Sequence, residues 1–483
     1  TGQVLASGGD SHGFVEGLPA GSMEQDPAWW VSAAEKGLDA VFAALGTRKG
    51  EVCAIGVSGQ QHGLVCVDAA GNVIRPAKLW CDTSTTAQCE AITEALGGDA
   101  GVIDLVGNTM RTGYTAPKIR WLEDNEPGNW DRTASVLLPH DYLNFWLTGE
   151  KRMEYGDASG TALMDVKART WSERACGAVA AGLADRLPPL GSSLDACGVM
   201  RRELCEKWGL EKAPLVSAGG GDNMMSAIGT GNLHHGTTTA SLGTSGTLFA
   251  FAEKPVIDPR GEVAAFCDST DHWLPLVCTM NLTLVTEHVR NLFGWSHDQM
   301  DAAVASAAPG AGGLLMLPYL TGERTPDLPT ARGVLAGISL ENFTPAGLAR
   351  AAMESVTLGL AYGLERLRAL GVQPTSIRLT GGGSRSPVWR QMCADAFGLP
   401  AAPLSDHAGA PLGAAMQAAF CFLRTEGSPA SWEDLSGRFV DPEASAACEP
   451  DAQTASVYRE LLAQSTALRS SGVALMPHGR PAR

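Results

Sequence analysis

The sequence predicts an α/β fold in two domains, and three observations carry that prediction. A short apolar run, three glycines and a helix start occur in succession twice, in LVSAGGGDNMMSAIG (215–229) and in IRLTGGGSRSPVWRQM (377–392). Short apolar runs alternate with helical patterns through a chain that holds 57 glycines, the alternation expected of strands and helices in α/β proteins. At 483 residues and 45% hydrophobic, the chain is long for one ordinary domain and supplies enough apolar surface for two cores.

The elements follow in order. Asp26-Pro27 reads as a helix start, an N-cap acid with proline at the first helical position. Val31, Ala34, Leu38, Val41 and Leu45 then recur at helical spacing, and Gly46 closes the helix. VCAIGV (52–57) predicts a buried strand ending in Ser58-Gly59-Gln60-Gln61-His62-Gly63, and residues 64–67 a second strand. TASLGTSGTLFAFA (239–252) predicts two strands joined by a tight Gly-Thr-Ser-Gly turn. Thr344-Pro345 opens another helix, with Leu348, Ala352, Ser355, Gly359 and Tyr362 on one side. Residues 377–379 predict a strand, and Ser386-Pro387 caps the helix after the second triple glycine. The domain cut is expected near residue 234, giving domains 1–234 and 235–470 with a loose, aperiodic tail at 471–483.

The bulk numbers exclude several classes. A formal net charge of -16 disfavours nucleic acid and anionic membranes as partners. The 12 cysteines form no Cys-x-x-Cys and no zinc spacing, so they read as reduced thiols of a cytoplasmic protein. No apolar run approaches the roughly 20 residues of a membrane span. No signal-peptide pattern is visible. The absence of an initial methionine suggests a trimmed start.

Glycines between a strand and a helix allow a ligand close to the backbone, and the helix start offers N–H groups to anions. One such unit reads most simply as a tight turn. Two of them, together with the 242–246 hairpin, point towards nucleotide binding. Neither unit is a Walker loop, and neither supplies Gly-x-Gly-x-x-Gly with a downstream acid, which sets a dinucleotide oxidoreductase aside. Asp222 reads either as a helix cap or as a general base, with Asn223 holding the substrate. Phosphoryl transfer needs positioning, charge neutralisation and a carboxylate near the attacking hydroxyl. His62 alone reads as a structural histidine, but its place after Gln60-Gln61 at a strand end suits polyol binding. Trp80 and Asp82 stand equally as an aromatic wall with a hydroxyl acceptor for a sugar, or as packing plus a turn.

These residues resemble the FGGY carbohydrate kinases from about Met23 to about Ala419. GYTAPKIRWLEDN (113–125) is similar to the family's first characteristic segment, and the stretch from Gly333 to Glu354 to its second, departing at Gly347. Gln61-His62-Gly63, LLPHDYLNFWLTGE (137–150), GDASGT (156–161) and PYLTGERTP (318–326) resemble the branch of the family that phosphorylates D-xylulose, whose bacterial members often carry Met where Gln61 stands.

The resemblance implies two ribonuclease-H-like lobes, as in actin and hexokinase, closing over sugar and Mg-ATP. It implies Asp222 as catalytic base, and Gln61, His62 and Asn223 around the sugar, to which the residue pattern itself adds Trp80 and Asp82. It implies Gly243 and Thr244 at the phosphates, and Gly381, Gly382, Gly383 and Ser386 at the adenosine. ATP and Mg²⁺ are the implied cofactors, and a homodimer is expected from the resemblance alone. The family's Asp-x-Gly-Thr hairpin does not precede Ser58. TGQVLAS resembles the piece just after it, so the first strand and hairpin are expected to be missing from the first lobe, and no metal ligands are assigned. The competing functions are a kinase for ribulose, glycerol or gluconate, and a catalytically dead sugar or nucleotide sensor.

Overall fold

A computed structural model describes residues 2–404 and 409–472. The loose-tail expectation for 471–483 therefore falls, from residue 473 on, outside the described residues. The chain forms two compact units, each assembled from separated segments. The first holds Thr1–Leu233, Ala252–Leu274 and His407–Val440, and the second His234–Phe251, Pro275–Asp406 and Asp441–Arg483. A single cut near residue 234 does not describe these units, because two later segments fold with the first.

In the first unit, Asp26 caps a helix over Pro27–Leu45, its carboxylate accepting from Ala28 N–H at 2.9 Å. Gly46 follows at φ 54°, a conformation open to glycine. The deepest residues of this helix are Trp30, Gly37 and Phe42. The predicted stripe of Val31, Leu38 and Leu45 is half-buried beside them, because the aromatic rings reach further, Phe42 lying 5.4 Å from the Trp208 ring.

The strand predicted over 52–57 is shorter than expected and is followed by a second short piece. Ala54–Ile55 runs parallel to Leu215–Ser217, which pairs antiparallel with Ala196–Val199. Beyond it, Ser58–Gly59 runs parallel to Gly220–Gly221. Gly219, at φ 71°, bends the chain between the two pairings. The next predicted strand appears as Val65–Val67, antiparallel to Ser135–Leu137.

The Ala410–Thr425 helix lies against this framework at backbone contact distance. A Cβ on Gly413 would collide with the Met225 carbonyl, one on Gly229 with the Gly409 carbonyl, and one on Gly56 with the Ala414 carbonyl. Glycine at these positions sets how closely the Asp222–Gly229 helix is held.

In the second unit, five neighbouring strands run in the order 275–279 (the second-unit part of Trp273–Thr279), Gly246–Ala250, Thr237–Leu242, Ser376–Thr380, Ala401–Pro403. The predicted hairpin is present, antiparallel from Thr238↔Ala250 to Leu242↔Gly246. Its first strand runs parallel to Ser376–Thr380, ending at Ser241↔Thr380.

Thr344 caps a 25-residue helix over Pro345–Ala369. That helix is buried on most of its faces rather than along one stripe. Gly347 is needed there, since a Cβ would strike the Asn342 carbonyl. Inside it, Arg350 Nε reaches Glu354 Oε1 at 2.7 Å and its Nη2 donates to the Tyr458 hydroxyl at 2.7 Å. Pairing of this kind lets a charge be buried. All 12 cysteines are free thiols. Among the described residues no helix is long and apolar enough to cross a membrane.

Candidate active site

A first candidate site, within the first unit, is built by the parallel pairing of Ser58–Gly59 with Gly220–Gly221. Both strands end at the same edge, where parallel strands present ligand-binding loops. One releases Gln60-Gln61-His62, the other Asp222-Asn223. Gly221 stands at the N-cap position, so Asp222 is the first helical residue rather than the cap. Its Oδ1 accepts from Asn223 N–H at 2.9 Å and lies 3.2 Å from Asn223 Nδ2.

Asp222 is reachable by water yet ringed by protein. Lost hydration, the largest cause, together with the negative charge of Asp157 raises its carboxyl from the ordinary 3.8 to about 6. A carboxylate of that strength is suited to accept a proton near neutral pH.

The turn that carries Asp222 is held from three directions. Gln417, fully buried on the Ala410–Thr425 helix, accepts from Ser217 Oγ and Gly219 N–H, both at 2.9 Å. Its amide nitrogen donates to Gly219 O at 2.9 Å and Ser193 O at 3.0 Å. Asn144 Nδ2 donates to Ala218 O at 2.7 Å. Beside Gly221 lies Asp157, whose Oδ1 would be 3.0 Å from a Cβ placed on that glycine.

Asp157 is buried and bonded to His140 Nδ1 at 2.8 Å, while His140 Nε2 lies 3.0 Å from Asp141 Oδ1. Burial opposes charge on His140, but the two carboxylates outweigh it and hold its pKa well above the ordinary range. Glu154, also buried, accepts from Gly156 N–H at 2.7 Å and from Asp157 N–H and Ser193 Oγ. Desolvation pushes its carboxyl to about 7.

The sugar-site expectations sort differently. Asn223 Nδ2 donates to Gln61 Oε1 at 2.7 Å, and Gln61 Nε2 contacts Met224 Sδ at 3.1 Å. Gln61 is 4% exposed with its amide committed, so it supports Asn223 rather than presenting itself to a ligand. His62 lies beside it at φ 63°, a left-handed conformation for a side-chain-bearing residue, which costs about 1–3 kcal/mol elsewhere. Its ring meets Tyr114 edge-on at 4.9 Å.

Asp82 does not serve as an open hydroxyl acceptor. It is fully buried and accepts from Met23 N–H, Ser84 N–H, Ser84 Oγ and Lys78 Nζ at 2.6–3.1 Å. Desolvation opposes its charge, yet the Ser84, Met23 and Lys78 contacts keep its carboxyl below the usual range. Asp82 organises a turn. Trp80 is 38% exposed.

A second candidate site lies within the second unit. The hairpin turn at 243–245 and the second triple glycine leave the same end of adjacent parallel strands. The carbonyls of Gly243 and Thr244 accept from the N–H groups of Leu282, Thr283 and Leu284 at 3.1–3.3 Å. The exposed Thr244 is left facing outward. Gly381, at φ 83°, sits where a Cβ would press on the Leu242 backbone at 2.7 Å, and Gly383 packs on Leu242 and Trp389. Gly382 faces open space. Ser386 Oγ accepts from Trp389 N–H at 3.2 Å and donates to Asp301 Oδ1 at 2.8 Å, so its hydroxyl is committed at the helix start. A glycine turn open over Gly382 fits the close approach of a nucleotide to backbone.

Sequence reasoning left His140, Asp157, Glu154, Lys118 and Gln417 without roles. The signal for Gln417 was a lone amide in the otherwise apolar helix APLGAAMQAAFCF (410–422).

A raised carboxylate at a glycine turn in one α/β unit, and paired hairpin and glycine turns in the other, define a two-domain kinase of the actin and hexokinase type. The model of the N-terminal domain of the FGGY family of carbohydrate kinases matches residues 1–229, and that of its C-terminal domain residues 238–422. The chain belongs to that family.

It is 42% identical to the xylulose kinase of Haemophilus influenzae, covering 82% of each chain. It is 34% identical to the xylulose kinase of Streptomyces rubiginosus, covering 98% of this chain and 94% of that one. A solved structure described as a xyloylose kinase from Brucella ovis superposes with TM-score 0.88 at 32% identity, over 95% of this chain and 93% of that one.

Proposed function

We propose that the protein transfers the terminal phosphoryl group of ATP to the terminal hydroxyl of D-xylulose, in the cytoplasm. The observation that carries the chemistry is Asp222, a carboxyl raised to about 6 on the first turn of a helix, with Asn223 fixed beside it by Gln61. The substrate is supported by likeness to xylulose kinases along most of both chains.

In this reading the first unit binds the sugar and the second the nucleotide. Asn223 and His62 orient the sugar. Asp222 takes the hydroxyl proton as the oxygen attacks phosphorus. Thr244 and the hairpin N–H groups meet the phosphates, and the backbone at Gly382 lies against the nucleotide. Mg²⁺ carried on the phosphates would neutralise their charge. No cluster of three metal-binding side chains occurs among the described residues, and a cation held mainly by nucleotide oxygens does not require one.

The test is ADP release with a panel of D-xylulose, D-ribulose, glycerol and gluconate. The highest kcat/KM is expected for D-xylulose. Higher turnover of another member would overturn the substrate assignment, and silence on all four with sugar still bound would favour a sensor. A homodimer is the expected assembly, measurable by light scattering.

A further inference from the structure

His62 holds a left-handed backbone at φ 63°. Such conformations persist where the surroundings over-determine them, and they gather at functional sites. Its carbonyl oxygen accepts from Lys118 Nζ at 2.8 Å and from Thr115 Oγ1 at 3.1 Å. The same ammonium donates to Gly113 O at 2.6 Å. Lys118 and Thr115 are both fully buried. An ammonium taken out of water is unfavourable unless hydrogen bonds replace its hydration, and here backbone carbonyls from two segments do so.

Those two segments are the ones that shape the imidazole's surroundings. Gly113 precedes Tyr114, whose ring meets the His62 ring at 4.9 Å. On another side the ring lies so close to Gly160 that a Cβ there would collide with it. The ring is therefore fixed by packing, and its backbone by a buried cation. We propose that Lys118, assisted by Thr115, is a positioning residue that locks the His62 turn and the Tyr114 loop together and so aims the imidazole at the sugar. This rests on the reading of His62 as a sugar contact.

The test is a double-mutant cycle on kcat/KM for D-xylulose, with KM for ATP and sugar-free ATP hydrolysis measured alongside. His62→Ala is made first. Lys118→Met keeps the unbranched chain, one atom shorter, and removes the ammonium; it is expected to lower kcat/KM for the sugar on the order of tenfold to a hundredfold, the cost of a misplaced contact. KM for ATP and sugar-free hydrolysis stay within about twofold. In the His62→Ala background Lys118→Met changes kcat/KM by less than about twofold, because both substitutions remove the same contact.

Losses that multiply in the double variant, or a matching rise in KM for ATP, would overturn the proposal. An unchanged kcat/KM in His62→Ala alone would instead remove the sugar-contact reading beneath it, and the proposal with it. Should Lys118→Met fail to fold, Thr115→Val, which replaces the hydroxyl by a methyl group, runs through the same cycle with the same criterion.

Discussion

Acidification offers the most direct test of Asp222 as the base. Its carboxyl stands at about 6 in the folded protein. A group at that value is about nine-tenths ionised at pH 7 and about one-tenth ionised at pH 5. The same group at its ordinary value would remain about nine-tenths ionised at pH 5. The two cases therefore differ by nearly tenfold in active base. The quantity to follow is kcat/KM for D-xylulose, which reports the enzyme form that the sugar meets, here the ATP-bound one, measured by ADP release from pH 8 to 5 with ATP and Mg²⁺ saturating. Circular dichroism at each pH confirms that the fold survives.

An approximately tenfold fall between pH 7 and 5 is expected. Asp157→Asn removes the negative charge that helps raise Asp222, so the acid limb of that variant moves to lower pH. It does not return fully to the ordinary value, because desolvation is the larger cause. A flat profile down to pH 5 in folded protein, or a limb that moves upward in Asp157→Asn, would refute the reasoning.

Three further outcomes are expected. Asp222→Ala lowers kcat by about 10²–10⁴, the range for loss of a general base, while ATP affinity measured by calorimetry is unchanged; near-normal turnover would remove the assignment. Gly413→Ala forces a methyl against the Met225 carbonyl and destabilises the protein by about 1–3 kcal/mol in urea unfolding, whereas an unchanged midpoint would mean that the two helices part freely. Glu154 keeps its proton in the folded state up to about 7, well above its ordinary 4.5, while the unfolded chain releases it earlier. Stability is therefore lost as pH rises from about 4.5 to 7, by roughly 3 kcal/mol from this group. Protonated His140 acts in the same direction, its stabilisation fading as pH rises through its raised pKa. The urea midpoint should fall between pH 5 and 8, less steeply in Glu154→Gln, and a rising midpoint would contradict the account.

Local signals in the sequence carried the elements with strong punctuation. Asp26-Pro27, Thr344-Pro345 and Ser386-Pro387 each open a helix where caps and proline place it. The 237–250 hairpin is present because its turn glycines and alternating apolar residues agree. Strand lengths were less legible. Between residues 52 and 59 the pairing partner changes, and that change is imposed by glycines more than 150 residues away. Asp222 and Asn223 stood out by their glycine context, but Asp82 and Gln61 read as ligand groups although their acceptors are spent inside the protein. Whether a polar side chain points inward depends on partners such as Lys78 and Asn223, which spacing does not reveal. Lys118 and Gln417 escaped for the same reason: each holds a backbone carbonyl at 50 or more residues' separation.

The segmented first unit has a consequence for synthesis. The helix that pins the Asp222 turn and packs on its sheet begins at Ala410, whereas the preceding block of that unit closes at Leu274. Roughly 130 residues of the other unit must leave the ribosome in between, at about 5–20 residues per second on the order of 7 to 26 s. Through that interval the flank of the Asp222–Gly229 helix that meets Gly409 and Gly413, at Met225 and Gly229, has no native cover. The Asp222 turn is thus among the last parts of the nascent chain to be secured, held in its native place only once Ala410–Thr425 has emerged.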